Sequence, residues 1–308
     1  MSTCSLLIPC HNAAQYLPRL WETIRSQTVP FDEILCYDDG STDNTAEIAE
    51  QFGATVIRSE VCRGAAFARN RLAEAATCSW IHFHDADDTL HPEFLAQTQA
   101  RIQPEIDVIV SNVDWIDETT QEILIPRRYS QQALEENALA ATLTNPIGVI
   151  GCLYRKAVFL SIAGFDPSFQ CWEDADLHIR FAAAGAKFSV VETVLAYSLR
   201  HDRGLSRDQL ACTKCRLQLL QNYAEQFGSL HRLIAEEAER VAVYLLIQKH
   251  DRQTAQQAVQ LCLSLGQHPP TTQNPILKLL KAFLPTLQSL YLQQCLRNPK
   301  LLLGSSRC

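Results

Sequence analysis

The 308-residue sequence contains no apolar run long enough to cross a membrane, since its longest candidate, residues 241–247, falls far short of the ~18 residues that a spanning helix needs. It also lacks a basic excess, because 27 Lys and Arg stand against 34 Asp and Glu. This balance argues against a nucleic-acid partner, whose phosphates attract clustered positive charge. No basic segment precedes the short apolar run at the N-terminus. We therefore interpret that run as a buried strand rather than a signal peptide, and expect a cytoplasmic protein with reduced cysteines.

Acidic residues are missing from the last part of the chain. Asp251 is the last acid, and six of the 27 basic residues follow it. The first 251 residues therefore hold 21 bases against 34 acids. This division of charge predicts an acidic body with a separate basic tail.

Short apolar runs alternate with amphipathic stretches through the first half of the chain. Such alternation predicts βαβ units in a mostly parallel sheet, with ligands bound outside the carboxyl ends of the strands. From Ser206 the pattern becomes helical, which predicts an α/β domain over residues 1–205 and a helical region over 206–308. The predicted strands span residues 5–8, 33–37, 54–58, 80–84, 107–112, 188–191 and 194–199, and the predicted helices 13–26, 45–52, 65–76, 132–142, 173–184, 207–227, 230–249 and 254–265.

Two carboxylates, Asp85 and Asp87, follow the fourth predicted strand. In the turn that leaves a strand, this spacing can bring both onto one hard cation, and oxygen ligands favour Mg²⁺ or Mn²⁺. Alternatively the turn is structural, with Asp88 or Thr89 capping a helix that begins near Pro92.

Acidic pairs occur at two further places. Asp38 and Asp39 follow the second strand and can accept hydrogen bonds from a uracil imide or a ribose hydroxyl. The alternative is an ordinary turn in which Asn44 and Glu47 form a capping box.

The second of these pairs, Glu173 and Asp174, opens a predicted helix. The helix dipole alone favours acids in a first turn. The functional alternative is a general base that removes a proton from an attacking hydroxyl.

Taken in order, these clusters resemble the motifs of family 2 glycosyltransferases, from about residue 4 to residue 206. The resemblance implies inverting, nucleotide-sugar-dependent transfer on a GT-A fold, a Rossmann-like, mostly parallel sheet flanked by helices. Here that fold would carry a C-terminal α-helical extension. The motifs are Pro9-Cys10-His11-Asn12, Asp38-Asp39-Gly40-Ser41-Thr42-Asp43, Ala68-Arg69-Asn70, Asp85-Ala86-Asp87-Asp88, Glu173-Asp174-Ala175-Asp176-Leu177 and Arg200-His201.

The resemblance also implies roles for single residues. Asp174 is the catalytic base, with Glu173 beside it, and His11 stands where the family often has Tyr. Which of Asp38 and Asp39 contacts the base of the nucleotide stays open. The nucleotide-sugar residues are Pro9, Asn12, Asp38, Asp39, Arg69 and Asp85, and the ligands of Mn²⁺ or Mg²⁺ are Asp85, Asp87 and His201.

The implied partners are a nucleotide-sugar donor, with UDP favoured, and a glycan, lipid-linked or other hydroxyl acceptor of the cell envelope. A sugar-nucleotide pyrophosphorylase is disfavoured, because Pro9-Cys10-His11-Asn12 stands where a Gly-rich basic loop would be needed. A non-catalytic nucleotide-sugar-binding or scaffold protein is the remaining alternative. The C-terminal helices, with apolar residues between 277 and 303 and only basic charges nearby, predict either self-association or a peripheral membrane contact.

Overall fold

The computed structural model of the chain describes residues 2–200, 208–248 and 250–266. The chain divides into two compact units, Met1–Arg207 and Asp208–Cys308. His201 and the apolar residues between 277 and 303 lie outside the described residues. Within the described part, no helix combines the length and the apolar character needed to cross a membrane.

A mixed sheet forms the centre of the first unit. Its strands in chain order are β1 (Cys4–Cys10), β2 (Glu33–Asp39), β3 (Thr55–Ser59), β4 (Trp80–Phe83), β5 (Thr89–Leu90), β6 (Val108–Asp117), β7 (Ile123–Arg127), β8 (Cys152–Arg155) and β9 (Phe188–Arg200). Across the sheet the order is β3-β2-β1-β4-β8-β6-β9-β5, and β7 pairs with β6 as a hairpin. The first four strands of that order are parallel, and β9 is parallel to β6. Because β8 is antiparallel to both β4 and β6, the carboxyl ends of β1, β2, β4, β6 and β9 share one edge.

Helices connect and cover these strands: α1 (Leu17–Arg25), α2 (Thr45–Gln51), α3 (Ala65–Ala75), α4 (Phe94–Gln99), α5 (Gln131–Thr144), α6 (Lys156–Ser161) and α7 (Glu173–Ala183). Helix α7 begins with three acids in its first turn, which suits the positive end of its dipole. It ends before Gly185, whose φ of 78° suits the residue that follows a helix.

An aromatic cluster fills the core between the sheet and α7. Phe83 of β4 lies 5.2 Å, ring centre to ring centre, from both Phe159 and Phe165, and Tyr154 stacks on Phe181 at 5.6 Å. All five side chains are buried, and each such burial stabilises the fold by about 1.5–3 kcal/mol. The cluster therefore fixes the segment that leads into α7.

Two expectations about strands are wrong, and the two helix caps offered as structural alternatives are absent. Residues 188–191 and 194–199 belong to one strand, β9, because Glu192 and Thr193 form a bulge within it. Asn112 of β6 stabilises this bulge by donating from Nδ2 to the Glu192 carbonyl oxygen at 2.5 Å. Strand β6 runs beyond residue 112 and turns back as β7, which the sequence pattern did not predict.

Neither of the two alternative caps forms in the structure. The Asn44 side chain caps nothing in α2, and Asp43 accepts from the Thr45 N–H instead. The helix after Pro92 begins at Phe94, while the Asp88 carboxylate is used elsewhere, by the Leu199 N–H.

The second unit contains three α-helices in its described part: α8 (Gln209–Gln226), α9 (His231–Ile247) and α10 (Arg252–Ser264). The side chains of Asp208 and Asp251 accept from backbone N–H groups in the first turns of α8 and α10. Cys262 of α10 donates its thiol to the Ala235 carbonyl oxygen of α9 at 3.2 Å, and small buried residues let these two helices approach.

Candidate functional site

The loop after β1 is fastened to the loop after β2. Asn12, at φ 49°, accepts from the Thr42 N–H at 2.8 Å through Oδ1, and its own N–H donates to Ser41 Oγ at 2.9 Å. Pro9 lies opposite Tyr37 in the parallel pairing of the two strands. The structure thus brings Pro9 and Asn12 to the end of β2, where Asp38 and Asp39 lie.

Asp38 and Asp39 end β2 with buried carboxylates that have different partners. Asp39 accepts from the N–H groups of Arg63 and Gly64 at 2.7–3.0 Å and so fixes the loop that enters α3. Asp38 accepts from the Ser41 N–H at 3.1 Å and so fixes its own turn. Both acids stabilise the backbone around the position predicted for a nucleoside.

The loop after β4 concentrates negative charge. Asp85 and Asp87 are half-buried there, and Arg19 holds the loop by donating to the Asp87 carbonyl oxygen at 2.8 Å. Burial raises the pKa of the neighbouring Asp88 well above its ordinary value, and the charges of Asp87 and Asp85 raise it further. The three acids of this loop therefore lie close enough for the charges of Asp85 and Asp87 to act on Asp88.

Arg69 joins this loop to the start of α7. Its buried guanidinium donates to Asp85 Oδ1 at 2.6 Å and to Glu173 Oε1 at 2.9 Å, and it lies 5.2 Å from the centre of the Phe165 ring. These two acids are 88 residues apart in the chain (173 minus 85). The Arg69 guanidinium therefore brings the acidic motif after β4 together with the acidic motif that opens α7.

The segment before α7 is held by the residue next to Arg69. The Asn70 amide donates to the Phe165 carbonyl oxygen and accepts from the Phe165 N–H, both at 2.8 Å. Residue 164 must be a glycine, because a β-carbon there would lie 2.3 Å from Asn70 Oδ1. Trp172, the last residue before α7, has a φ of 70°, which is rare for a bulky side chain and marks a constrained turn.

Asp174 has the electrostatics of a base that works near neutral pH. Burial raises its pKa to about 7, and the adjacent Glu173 charge acts in the same direction. The Ala175 N–H, 2.7 Å from Oδ1, and the Arg69 charge act in the opposite direction. Gly148 lies beside Oδ2 of Asp174, since a β-carbon at Gly148 would be 4.0 Å from that oxygen.

A buried polar group lies behind Asp174. Burial lowers the pKa of His178 to about 4, so the ring is neutral at neutral pH. Its Nδ1 lies 2.6 Å from the Asp174 carbonyl oxygen and its Nε2 lies 3.0 Å from the Tyr154 hydroxyl. A neutral ring meets both partners when Nδ1–H donates to the carbonyl and Nε2 accepts from the tyrosine. The backbone of Asp174 is thereby anchored to β8.

The donors after β4 fit a hard divalent cation. Among the residues that the structure describes, no three His, Cys, Asp or Glu side chains are grouped to hold a metal. Asp85 and Asp87 provide carboxylate oxygens, and Mg²⁺ or Mn²⁺ typically takes one or two of these and completes its shell with phosphate and water. Such a cation would balance the negative charge of the Asp85 and Asp87 carboxylates.

The sequence pattern located the acids but not what connects them. Asn70 belongs to one of the motifs, but its contact with Phe165 spans 95 residues and has no local signature. The group of Cys152, Tyr154 and His178 was missed, because nothing in the local pattern distinguishes these residues from other core positions. Arg69 and Asn70 stand next to Arg71 in α3, so polarity alone does not distinguish them, and only the motif Ala68-Arg69-Asn70 indicated them.

Known proteins share both sequence and fold with this chain. The model of the family "Glycosyl transferase family 2" matches residues 5–160. An uncharacterised glycosyltransferase of Escherichia coli K12, YibD, is 26% identical over 284 residues, which cover 86% of this chain and 80% of that protein. A PGL/p-HBAD biosynthesis glycosyltransferase of Mycobacterium tuberculosis is 28% identical over 221 residues, 66% of this chain and 78% of that protein.

Two solved structures resemble the fold. TarS residues 1–349 of S. aureus, in complex with UDP-GlcNAc, gives a TM-score of 0.57 at 17% identity and covers 87% of this chain and 93% of that one. The mannosyltransferase PcManGT of Pyrobaculum calidifontis, in complex with GDP-Man and Mn²⁺, gives 0.60 at 15% identity and covers 96% and 84%. At these identities the likeness bears on the fold alone.

Proposed function

Because the chain belongs to glycosyltransferase family 2, we propose that it moves a sugar from a nucleotide sugar to an acceptor hydroxyl, with inversion at the anomeric carbon. The observation that carries this proposal is the Arg69 bridge, which brings the acids after β4 together with Glu173 and, next to it, Asp174. A carboxylate with a pKa of about 7 is thereby held close to the acids proposed to meet the diphosphate of the donor. A UDP-sugar is our preferred donor.

Residues at the ends of β1 and β2 would bind the nucleoside. Asn12 and Pro9 would line that site, and Asp38 and Asp39, which hold its turns, would offer carboxylate oxygens to base or ribose. Arg69, whose guanidinium is engaged by Asp85 and Glu173, contributes by fixing these acids beside the donor.

Asp174 would act as the base, with Glu173 keeping it in place beside Arg69. As the acceptor oxygen bonds to the anomeric carbon, its proton passes to the Asp174 carboxylate. The bond from that carbon to the leaving diphosphate oxygen breaks on the opposite face. One such displacement inverts the configuration without a covalent sugar–enzyme intermediate.

Asp85 and Asp87 would hold Mn²⁺ or Mg²⁺, with His201 as a further ligand. The bound cation supplies Lewis-acid stabilisation of the negative charge on the departing diphosphate. Arg69 fixes the direction of the Asp85 carboxylate through its 2.6 Å contact with Oδ1.

We further propose that residues 1–205 form the catalytic domain and residues 206–308 a helical extension. The acceptor would be a glycan or lipid-linked saccharide of the cell envelope, which accords with the mycobacterial relative named for PGL/p-HBAD biosynthesis.

The test is release of nucleoside diphosphate from a panel of UDP- and GDP-sugars in the presence of Mn²⁺ and candidate acceptors. Asp174→Asn should lower turnover by about a thousandfold, since a general base contributes ~10²–10⁴. Affinity for UDP should stay within about twofold, because Asp174 meets the acceptor rather than the nucleotide. Glu192→Gln, at an exposed acid of the β9 bulge, is the control and should behave as wild type. Near-normal turnover of Asp174→Asn would refute the assignment of the base.

A further inference from the structure

Neither the backbone nor the packing requires a glycine at two of the nine glycine positions in the described residues. Six of the nine have a positive φ, which side chains rarely adopt, and at Gly151 a β-carbon would lie 2.6 Å from Val113 Cγ2. The two that remain are Gly148 and Gly228. Gly148 has an ordinary φ of −87°, and a β-carbon there would approach one described atom within 4 Å, Asp174 Oδ2 at 4.0 Å.

The backbone of Gly148 is held in a fixed position beside the proposed base. Its N–H donates to the hydroxyl of the buried Tyr129 at 3.3 Å, and its carbonyl oxygen accepts from the thiol of the buried Cys152 at 3.3 Å. Because both polar groups of this backbone unit have partners, residue 148 keeps its distance from Asp174. The fold therefore sets the width of the space between Gly148 and the Asp174 carboxylate.

The side of the Asp174 carboxylate that faces Gly148 can meet a ligand. Both residues are partly exposed, and within the described part of the chain only the Ala175 N–H donates to this carboxylate, at Oδ1. A hydroxyl that donates to Oδ2 would lie about 2.7 Å from it, and the carbon that carries the hydroxyl would lie about 3.5 Å from it. A methyl group at residue 148 would compete with that carbon for space, because carbon atoms in contact stay ~3.5–4.0 Å apart.

We propose that Gly148 determines which acceptors reach the base, because its missing side chain leaves room for the saccharide carbon that carries the attacking hydroxyl. This inference rests on the proposed function, in which Asp174 takes the proton of the acceptor. Water has no such carbon and needs no such room. Gly148 is therefore a specificity-determining residue that distinguishes a saccharide from water rather than one that supports the fold.

The experiment compares wild type with Gly148→Ala in the release of nucleoside diphosphate, first with water alone and then with methyl glycosides of glucose, galactose and N-acetylglucosamine as acceptors. The donors are UDP-glucose, UDP-N-acetylglucosamine and GDP-mannose, each with Mn²⁺. Hydrolysis by water should stay within about twofold of wild type, whereas transfer to the glycosides should fall by about 10–100-fold, as for a misplaced reactant. The melting temperature should be unchanged or higher, because alanine at an ordinary φ restricts the unfolded chain.

Gly228→Ala is the matched control. It adds the same methyl group at a glycine of the second unit that has no positive φ, where the nearest described atom, in His231, lies 4.0 Å from the β-carbon. This variant should match wild type in hydrolysis and in transfer.

Three results would overturn the inference. Transfer to the glycosides that is unchanged in Gly148→Ala would show that the acceptor does not pass residue 148. Hydrolysis and transfer that fall together would show that the methyl group disturbs the base or the donor. A lower melting temperature would show that the fold itself requires this glycine. If wild type releases no nucleoside diphosphate from any donor, the proposed function fails first, and the inference fails with it.

Discussion

The surroundings of Asp174, the proposed base, disfavour the charged form of its carboxylate. This carboxylate is largely surrounded by protein and stands next to Glu173, so its charged form is disfavoured and its pKa rises to about 7. A base must be unprotonated to accept a proton. We therefore expect kcat/KM to fall about tenfold per pH unit below pH 7 and to level off above it. If kcat/KM instead fell only below about pH 4, the ordinary range of an aspartate, the result would contradict the buried environment.

Unfolding gives a second measurement of the same pKa. The folded pKa of about 7 lies above the ordinary value of 3.8, so the native state binds the proton more tightly than the unfolded state. The stabilisation is complete below pH 3.8 and is lost as pH rises through 7. The stability of wild type relative to Asp174→Asn should thus fall by on the order of 2–4 kcal/mol between pH 4 and pH 8. Urea titrations at several pH values test this, and a constant difference would refute it.

At the scale of elements, α3 holds the start of α7 in place through two neighbouring residues, Arg69 and Asn70. Asn70→Ala removes both hydrogen bonds to Phe165 and frees the segment that ends at Trp172. We expect kcat to fall by about 10–100-fold, as for a small misplacement of a catalytic group, with KM for the donor nearly unchanged. The control is Asn44→Ala, since the Asn44 side chain caps nothing in α2. A matched rise in KM with kcat unchanged would show that Asn70 acts on donor binding instead.

The elements also show how far sequence reasoning extends. The predicted family, enzyme class and α/β fold class are confirmed. Strand β4 and the loop of Asp85 could be predicted, because an apolar run followed by acids is a local pattern. The single strand β9 could not, because Glu192 and Thr193 interrupt the apolar pattern and only a distant residue, Asn112, shows how a bulge accommodates them. The roles of the predicted site residues stay predictions.

For the whole molecule, charge makes the cation central to the proposed reaction. A chain of net charge −7, with several acids at one edge of its sheet, repels a diphosphate unless a cation intervenes. Chelation with EDTA should therefore weaken UDP binding by about tenfold or more, while uridine, which carries no phosphate, should bind equally well with or without Mn²⁺. Calorimetric titration of both ligands makes this comparison. Equal UDP affinity in the two conditions would refute a metal held by Asp85 and Asp87.

The four tryptophans of the chain divide by burial. Trp21 and Trp80 are 2% and 1% exposed, within the core, whereas Trp115 and Trp172 are partly exposed. Trp172 immediately precedes the helix of Asp174, and Trp115 lies between Arg127 and Arg200. Of the two indoles that water reaches, Trp172 is thus the one next to the proposed base. The protein carries its own optical reporter there, and its intrinsic fluorescence can follow occupancy against the background of the two buried rings.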